Sequence, residues 1–416
     1  MNARRPILNL VSAALFALAA PALAGSVPHT ANGDPARADV QLEKVFATLR
    51  SSGINAALAE VNGILARYPN FRLAHLVHGD LLLARARPIA ALGNTKHVNP
   101  ERLEELRTEA LARLRARQAH PAQNMVPRYL LRVAPQTRNA IVIDAGRSRV
   151  YVFENANGGF RMVDDYYTTI GKRGFAKERE GDKKTPIGVY RVVSYIPGKK
   201  LPDLYGWGAF PIDYPNEWDR LRGRTGYGIW LHGVPSDTYA RAPQASDGCV
   251  ALANPDIAVL SKLVQTGETP VVIADRIEWV PQERLASERD AFLKSLEAWR
   301  TDWESRDAGR YLANYAKEFR SAGMDLAAWS AHKRRVNAGK AWIKVSIENL
   351  DVFRSPGAPD LISVSFEQDY RSSNLSQRTR KRQYWVMEDG RWKIAYEAPA
   401  KVRKLALPES FPGKRS

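Results

Sequence analysis

Cys249 is the chain's single cysteine, and it closes the run Ser246-Asp247-Gly248-Cys249 a short way after His232. A thiol with a free pKa of about 8.5 is a weak nucleophile at neutral pH, and an adjacent imidazole activates it. His232 is the only histidine between His120 and His332. The segment therefore holds one imidazole and one thiol, a pair chemically sufficient for acyl transfer through a thioester. Gly248 lets the backbone approach a reacting carbonyl closely and sets the Cys249 amide where an oxyanion develops. A donor aimed at that charge is worth roughly 3 to 4 kcal/mol in barrier height. The same spacing also fits an inert, buried cysteine beside a turn glycine, since free cysteine is among the most buried residue types. Spacing alone leaves both readings open.

A lone cysteine excludes an internal disulfide and any multi-thiolate zinc site. His75 and His78 lie three apart on a helical stretch with no further ligand pattern, so they read as ordinary helix residues and no metal is expected. The start of the chain, Met1-Asn2-Ala3-Arg4-Arg5, an apolar stretch from Ile7 to Ala20 and then Ala22-Leu23-Ala24, reads as a secretory signal over residues 1–24. That stretch is shorter than the roughly 20 residues a spanning helix needs. The expectation is an exported, periplasmic protein. A net charge of +18 attracts polyanions such as acidic wall polymers and anionic lipid, and export argues against nucleic acid. Much of the excess sits near the end, at Arg378, Arg380, Lys381, Arg382, Lys401, Arg403, Lys404, Lys414 and Arg415, as a solvated face or a wall- or membrane-adhesion patch.

The elements that must position the pair change character along the 416 residues, a length that suggests two or three domains. Apolar residues at helical spacing from Val45 to Leu65, closed by Pro69, and a second helix from Arg72 to Ala86 predict a tetratricopeptide-like helical hairpin region within residues 25–120. From Arg138 the period becomes that of strands. Ala140–Asp144 and Arg149–Phe153 flank a hairpin turn at Gly146-Arg147. Further strands are expected at Tyr166–Ile170, Gly188–Ser194, Ile229–Leu231 and Val271–Ala274. Long aromatic loops lie between Gly198 and Gly228. A charged linker, Pro281–Arg289, then leads to a helix with Phe292, Leu296, Trp299 and Trp303 on one face. Strands follow, with a hairpin turn at Asp389-Gly390. The fold class is α+β and multidomain.

His232-Gly233 and Ser246-Asp247-Gly248-Cys249, with the upstream Gly181-Asp182-Lys183-Lys184-Thr185-Pro186-Ile187-Gly188-Val189-Tyr190, resemble the L,D-transpeptidase (YkuD) catalytic domain. The resemblance covers a β-rich catalytic domain at 138–275. The unit at 286–400 looks like a SnoaL-like α+β cone. What the catalytic resemblance implies is attack by a cysteine thiolate on the L,D bond of a peptidoglycan tetrapeptide stem, usually diaminopimelate–D-alanine, and transfer of the acyl group to an amine. Carried across, Cys249 is the nucleophile, His232 the base and acid, and the Gly233 carbonyl the group that orients the imidazole. Ser246, Asp247, Gly248 and Cys249 form the turn that supplies oxyanion donors. Thr185 and its motif shape the cleft wall. Arg241, Arg224, Tyr227 and Trp230 are candidate substrate contacts, with Arg222 a further candidate for the stem carboxylates.

Two departures from the family pattern bear on activity. Asp247 stands where a histidine is frequent, and its charge raises the pKa of a neighbouring thiol; Ala251 stands where an arginine often follows. The resemblance implies no cofactor. Its partners are peptidoglycan stem peptides, with a wall-attached protein as one acceptor and peripheral membrane contact through the basic surface. A hydrolase using the same pair, either an L,D-carboxypeptidase or an amidase, and a non-catalytic wall-binding adaptor are the competing readings.

Overall fold

The computed structural model describes residues 37–94, 98–156 and 159–400. The expected signal segment and the basic residues from Lys401 onward lie outside the described residues.

Four helices lead: α1 (Ala38–Ser52), α2 (Ile54–Arg67), α3 (Arg72–Ala84) and α4 (Pro100–Gln118). The sequence suggested one helix where α1 and α2 stand. Gly53, at φ +84°, breaks it, a backbone turn that glycine takes without steric cost. The helix α4 lies within the region expected to be helical, although its span was not marked out, because its sequence is mostly polar. Apolar faces of α1 to α3 meet in one cluster that also takes in Tyr239 and Ala253 of the next unit. Docking is sealed by ions. Asp39 of α1 pairs with Arg113 of α4 and, at 2.7 Å, with Arg149, and Arg149 also binds Asp165. The Arg113 guanidinium lies 3.9 Å from the Tyr167 ring centre.

The central unit follows with β1 (Met125–Pro127), β2 (Leu130–Arg132), β3 (Asn139–Asp144), β4 (Arg149–Ala156), β5 (Gly159–Tyr167), β6 (Ile170–Gly171) and β7 (Gly188–Arg191). Then come β8 (Ile196–Pro197), β9 (Gly208–Pro211), α5 (Glu217–Leu221), β10 (Trp230–His232), β11 (Gln244–Ser246), β12 (Val250–Ala251), α6 (Asn254–Leu260), β13 (Pro270–Ala274) and β14 (Trp279–Pro281). Five strands form a sheet in the order β5-β4-β3-β13-β7, and four form a second in the order β12-β10-β9-β8. Ile141, Ile143, Val271 and Ile273 face Phe210, Leu231, Val250 and Ile257 between the two sheets. The alternate residues Ala140, Val142 and Val272 face the other way, into a core shared with the C-terminal unit. Burial on both faces explains why β3 is an unbroken apolar run rather than an alternating one.

The last unit contains α7 (Gln282–Glu304), α8 (Ala308–Leu312), β15 (Tyr315–Ser321), β16 (Met324–Asp325), α9 (Leu326–Ala338), β17 (Ile343–Ser355), β18 (Ala358–Ser372), β19 (Leu375–Glu388) and β20 (Arg391–Pro399). The stretch expected as a linker, Pro281–Arg289, is the first turns of α7. Its Leu285 enters the core, and its charges are ones a helix surface carries readily. The turn at Asp389-Gly390 has positive φ at both residues, as a two-residue hairpin requires. The sheet runs β16-β15-β20-β19-β18-β17-β2, so a strand from the central unit completes it. Arg382 also reaches across, binding Asp213 at 3.1 Å and Glu217 at 2.8 Å. Arg378 pairs with Glu348 and Glu367, Arg380 with Glu268 and Lys381 with Glu397. Lys381 and Arg382 are largely buried in their pairs, whereas Arg378 is paired at an exposed surface, as a solvated face would have it. Among the described residues no helix is long and apolar enough to cross a membrane, and no His, Cys, Asp and Glu group could hold a metal ion.

Candidate active site

His232 ends β10, and Cys249 immediately precedes β12. The two strands run parallel side by side, with Leu231 opposite Val250 and His232 opposite Ala251. Carried back one residue, this register puts Cys249 opposite Trp230, one strand spacing of about 4.8 Å away. Trp230 and His232 point to the same face of their strand, so Cys249 and His232 lie on one face of the sheet, two residues apart along it. Among the described residues the pair shares no hydrogen bond. The Cys249 thiol instead donates to the Gly228 carbonyl at 3.3 Å. Cys249 is partly exposed, and His232 is buried.

The imidazole is fixed by its backbone. Its Nδ1 lies 2.5 Å from the Gly233 carbonyl. A carbonyl only accepts, so Nδ1 carries the proton and Nε2 is left with a lone pair, the form a base needs. Burial pushes the imidazole down to about 4; the Gly233 carbonyl opposes that shift and the charge of Arg241 adds to it. Burial likewise pushes the thiol up to about 11, with Asp247 adding to the rise while a Trp230 backbone hydrogen bond, Arg241 and Lys177 oppose it. The pair rests neutral, not as the ion pair that the simple picture of an activated thiolate suggests.

The turn before the sulfur is held from both sides. Ser246 Oγ donates to the Cys249 carbonyl at 2.6 Å and accepts from the Gly248 amide at 3.1 Å. The Gly248 amide is therefore already engaged with a side chain of its own turn. Gly248 has φ +126°, and a Cβ there would come within 2.8 Å of the Lys184 carbonyl. Thr185, from the upstream motif, donates to the Gly248 carbonyl at 3.0 Å and accepts from Gly171 at 2.9 Å. The motif read as cleft wall is thus bonded directly to the cysteine turn. Asp247 points outward and meets Lys172 at 3.3 Å.

The four candidate substrate contacts separate. Arg241 acts electrostatically on both Cys249 and Asp247, and its guanidinium donates to the Ala245 carbonyl. Tyr227 is 69% exposed and adjoins Gly228, at the rim. Arg224 is paired with Asp219 at 2.9 Å, and Arg222 stacks on Trp218, 4.8 Å from the ring centre. Trp230 is buried against Tyr205, at 5.0 Å between ring centres, and forms wall rather than contact surface. Tyr205, one of the aromatic residues of the long loops between Gly198 and Gly228, also meets the His232 ring edge-on at 5.0 Å. That aromatic cluster was the available signal for it.

Residues 138–273 match the family model of the L,D-transpeptidase catalytic domain, and residues 291–398 that of the Cds6 C-terminal NTF2-like domain. Among solved structures, Bd1075 of Bdellovibrio bacteriovorus is similar at 29% identity, covering 67% of this chain and 99% of its own, with a TM-score of 0.59. The helical cell shape determining protein Pgp2 of Campylobacter jejuni is similar at 25% identity, covering 65% of this chain and 95% of its own, with a TM-score of 0.55. A comparison with curated proteins finds no match. Both resemblances read from the sequence motifs are therefore present in order: the chain carries a catalytic domain of the L,D-transpeptidase family followed by an NTF2-like domain.

Proposed function

We propose that the protein is a periplasmic peptidoglycan L,D-transpeptidase that transfers the acyl group of a tetrapeptide stem from D-alanine to an amine acceptor. The family match supports a cell-wall enzyme of the transpeptidase and peptidase kind. The observation that supports the finer reading is the parallel pairing of β10 with β12, which sets Cys249 on the same sheet face as a His232 protonated at Nδ1. Likeness to a helical cell shape determining protein supports a role in cell shape.

In this reading the thiol leaves the Gly228 carbonyl and turns to Nε2 of His232. The sulfur attacks the carbonyl of the diaminopimelate–D-alanine bond while its proton passes to Nε2. The oxyanion takes the Cys249 amide proton as a hydrogen bond. Collapse breaks the C–N bond, and the imidazolium protonates the departing D-alanine amine. An acceptor amine then attacks the thioester, gives its proton to Nε2, and expels the thiol. Two neutral partners suit this route, because proton transfer accompanies attack and no buried charge pair must be held at rest. In this reading Arg241, whose charge acts on Cys249, meets a stem carboxylate.

Incubation with tetrapeptide muropeptides tests the reading. Release of D-alanine with a product heavier by the acceptor amine supports transfer. A product carrying water in place of D-alanine shows a carboxypeptidase. Sacculus binding with no turnover, unaffected by Cys249→Ala, shows an adaptor and removes the enzymatic reading.

A further inference from the structure

We propose that Asn254 is a positioning residue for His232, fixing the peptide plane whose carbonyl decides which imidazole nitrogen carries the proton. The Gly233–Val234 peptide unit presents its carbonyl to His232 Nδ1 and its N–H to Asn254 Oδ1, at 3.2 Å. A trans peptide is planar, with these two groups pointing oppositely, so holding the N–H aims the carbonyl. The Asn254 amide cannot rotate away. Its Nδ2 donates to the Val234 carbonyl at 2.8 Å, and Oδ1 also accepts from the Trp207 amide at 2.9 Å. Oxygen accepting from two backbone amides and nitrogen donating to a carbonyl fix the orientation of the side chain.

The surrounding backbone is built to admit this one side chain. A Cβ at Gly233 would stand 2.2 Å from Asn254 Oδ1, and one at Gly206 would stand 2.1 Å from it. Two chain segments give up their side chains where the amide enters. The Gly233 amide is itself shared between the Tyr205 and Gly208 carbonyls, both at 3.1 Å. Asn254 opens α6, yet Ala253 is the N-cap and no side chain caps that helix, so Asn254 is not explained by helix capping. It joins the loop whose Tyr205 covers the imidazole to the peptide unit that orients it.

The inference rests on His232 acting as base, but tautomer state is measurable without turnover. In protein labelled with nitrogen-15 histidine, long-range proton–nitrogen spectra at about pH 7 separate the two neutral tautomers, and His232→Gln identifies the His232 signals. Wild type should show Nδ1 protonated. Asn254→Ala should show a mixture, with D-alanine release slowed about 10- to 100-fold at nearly unchanged KM. Asn254→Asp, which retains the accepting oxygen, should hold the wild-type tautomer. If Asn254→Ala does not fold, Asn254→Ser, too short to reach Val234, carries the same comparison. An unchanged tautomer in a folded variant lacking the Val234 contact, or an Nε2-protonated wild type, overturns the proposal. A wild type that releases no D-alanine while the tautomer still responds to Asn254 removes the transpeptidase reading and leaves this one standing.

Discussion

Burial sets the resting chemistry of the two reactive side chains. With the thiol pushed up to about 11 and the imidazole down to about 4, both are neutral through the middle of the pH range. Iodoacetamide should therefore label Cys249 slowly at pH 8, with the rate climbing toward pH 11. Asp247→Asn should speed labelling at pH 8 several-fold, because it removes a charge that opposes the thiolate; an unchanged rate would show that Asp247 does not act on the sulfur. Stability should follow the imidazole. An unfolded histidine titrates near 6.5, so between there and about 4 the unfolded chain binds the extra proton and the folded one does not. Stability is full above the unfolded value and falls as pH drops toward the folded one, by up to about 3 kcal/mol. Denaturant midpoints for wild type and His232→Gln should converge over this window as pH falls. Cys249 and His232 were legible in the sequence because their chemistry is rare in the chain and their motifs are local. The contacts of Tyr205 and Asn254 with the His232–Val234 segment were not, since they come from distant chain positions, and the engagement of the Gly248 amide depends on one hydroxyl rotamer.

Short strands and turns position these side chains, and their stability depends on bonds between elements. Thr185 links β6 to the cysteine turn through two hydrogen bonds and is fully buried. Thr185→Val keeps the shape and leaves the Gly171 amide and Gly248 carbonyl without that partner, at about 1 to 3 kcal/mol each where the group stays dry. It should lower both the melting temperature and D-alanine release; a loss of stability with full turnover would make Thr185 a structural residue only. Asp39 is the anion that two buried arginines share between the helical region and β4. Asp39→Ala should destabilise by about 3 to 5 kcal/mol, as removing one partner of a buried pair does, measured from urea midpoints. Strand and hairpin positions in the central unit were readable from period and turn residues. The break at Gly53 and the helical start of α7 were not, because a glycine inside an apolar repeat and a charged stretch before one each permit two structures.

The units are not beads on a string. The back face of the catalytic sheet, with Ala140, Val142 and Val272, shares one core with Phe292, Trp299 and Trp385 of the NTF2-like domain, and β2 closes that domain's sheet. The buried pair of Arg191 with Asp351 adds a further tie. Calorimetry should therefore show catalytic and NTF2-like domains unfolding in one transition, and deletion of residues 282–400 should yield insoluble protein; two separate transitions would contradict a shared core. Sequence reading marked off the units because composition and period change along the chain. It did not show their fusion, because pairing of β2 with β17 leaves no local signature, and a basic stretch such as Arg378–Arg382 looks alike whether its partners are solvent or carboxylates.

The helices, the shared core and the clamped turn all support one sulfur and one imidazole on neighbouring strands, and intact-protein mass spectrometry tests that arrangement most directly. Wild type mixed with a tetrapeptide stem should gain the mass of the stem less D-alanine, located on Cys249. Cys249→Ala should gain nothing, and His232→Gln should acylate far more slowly. Release of D-alanine by Cys249→Ala, or a stem left intact by the wild type, would contradict the account.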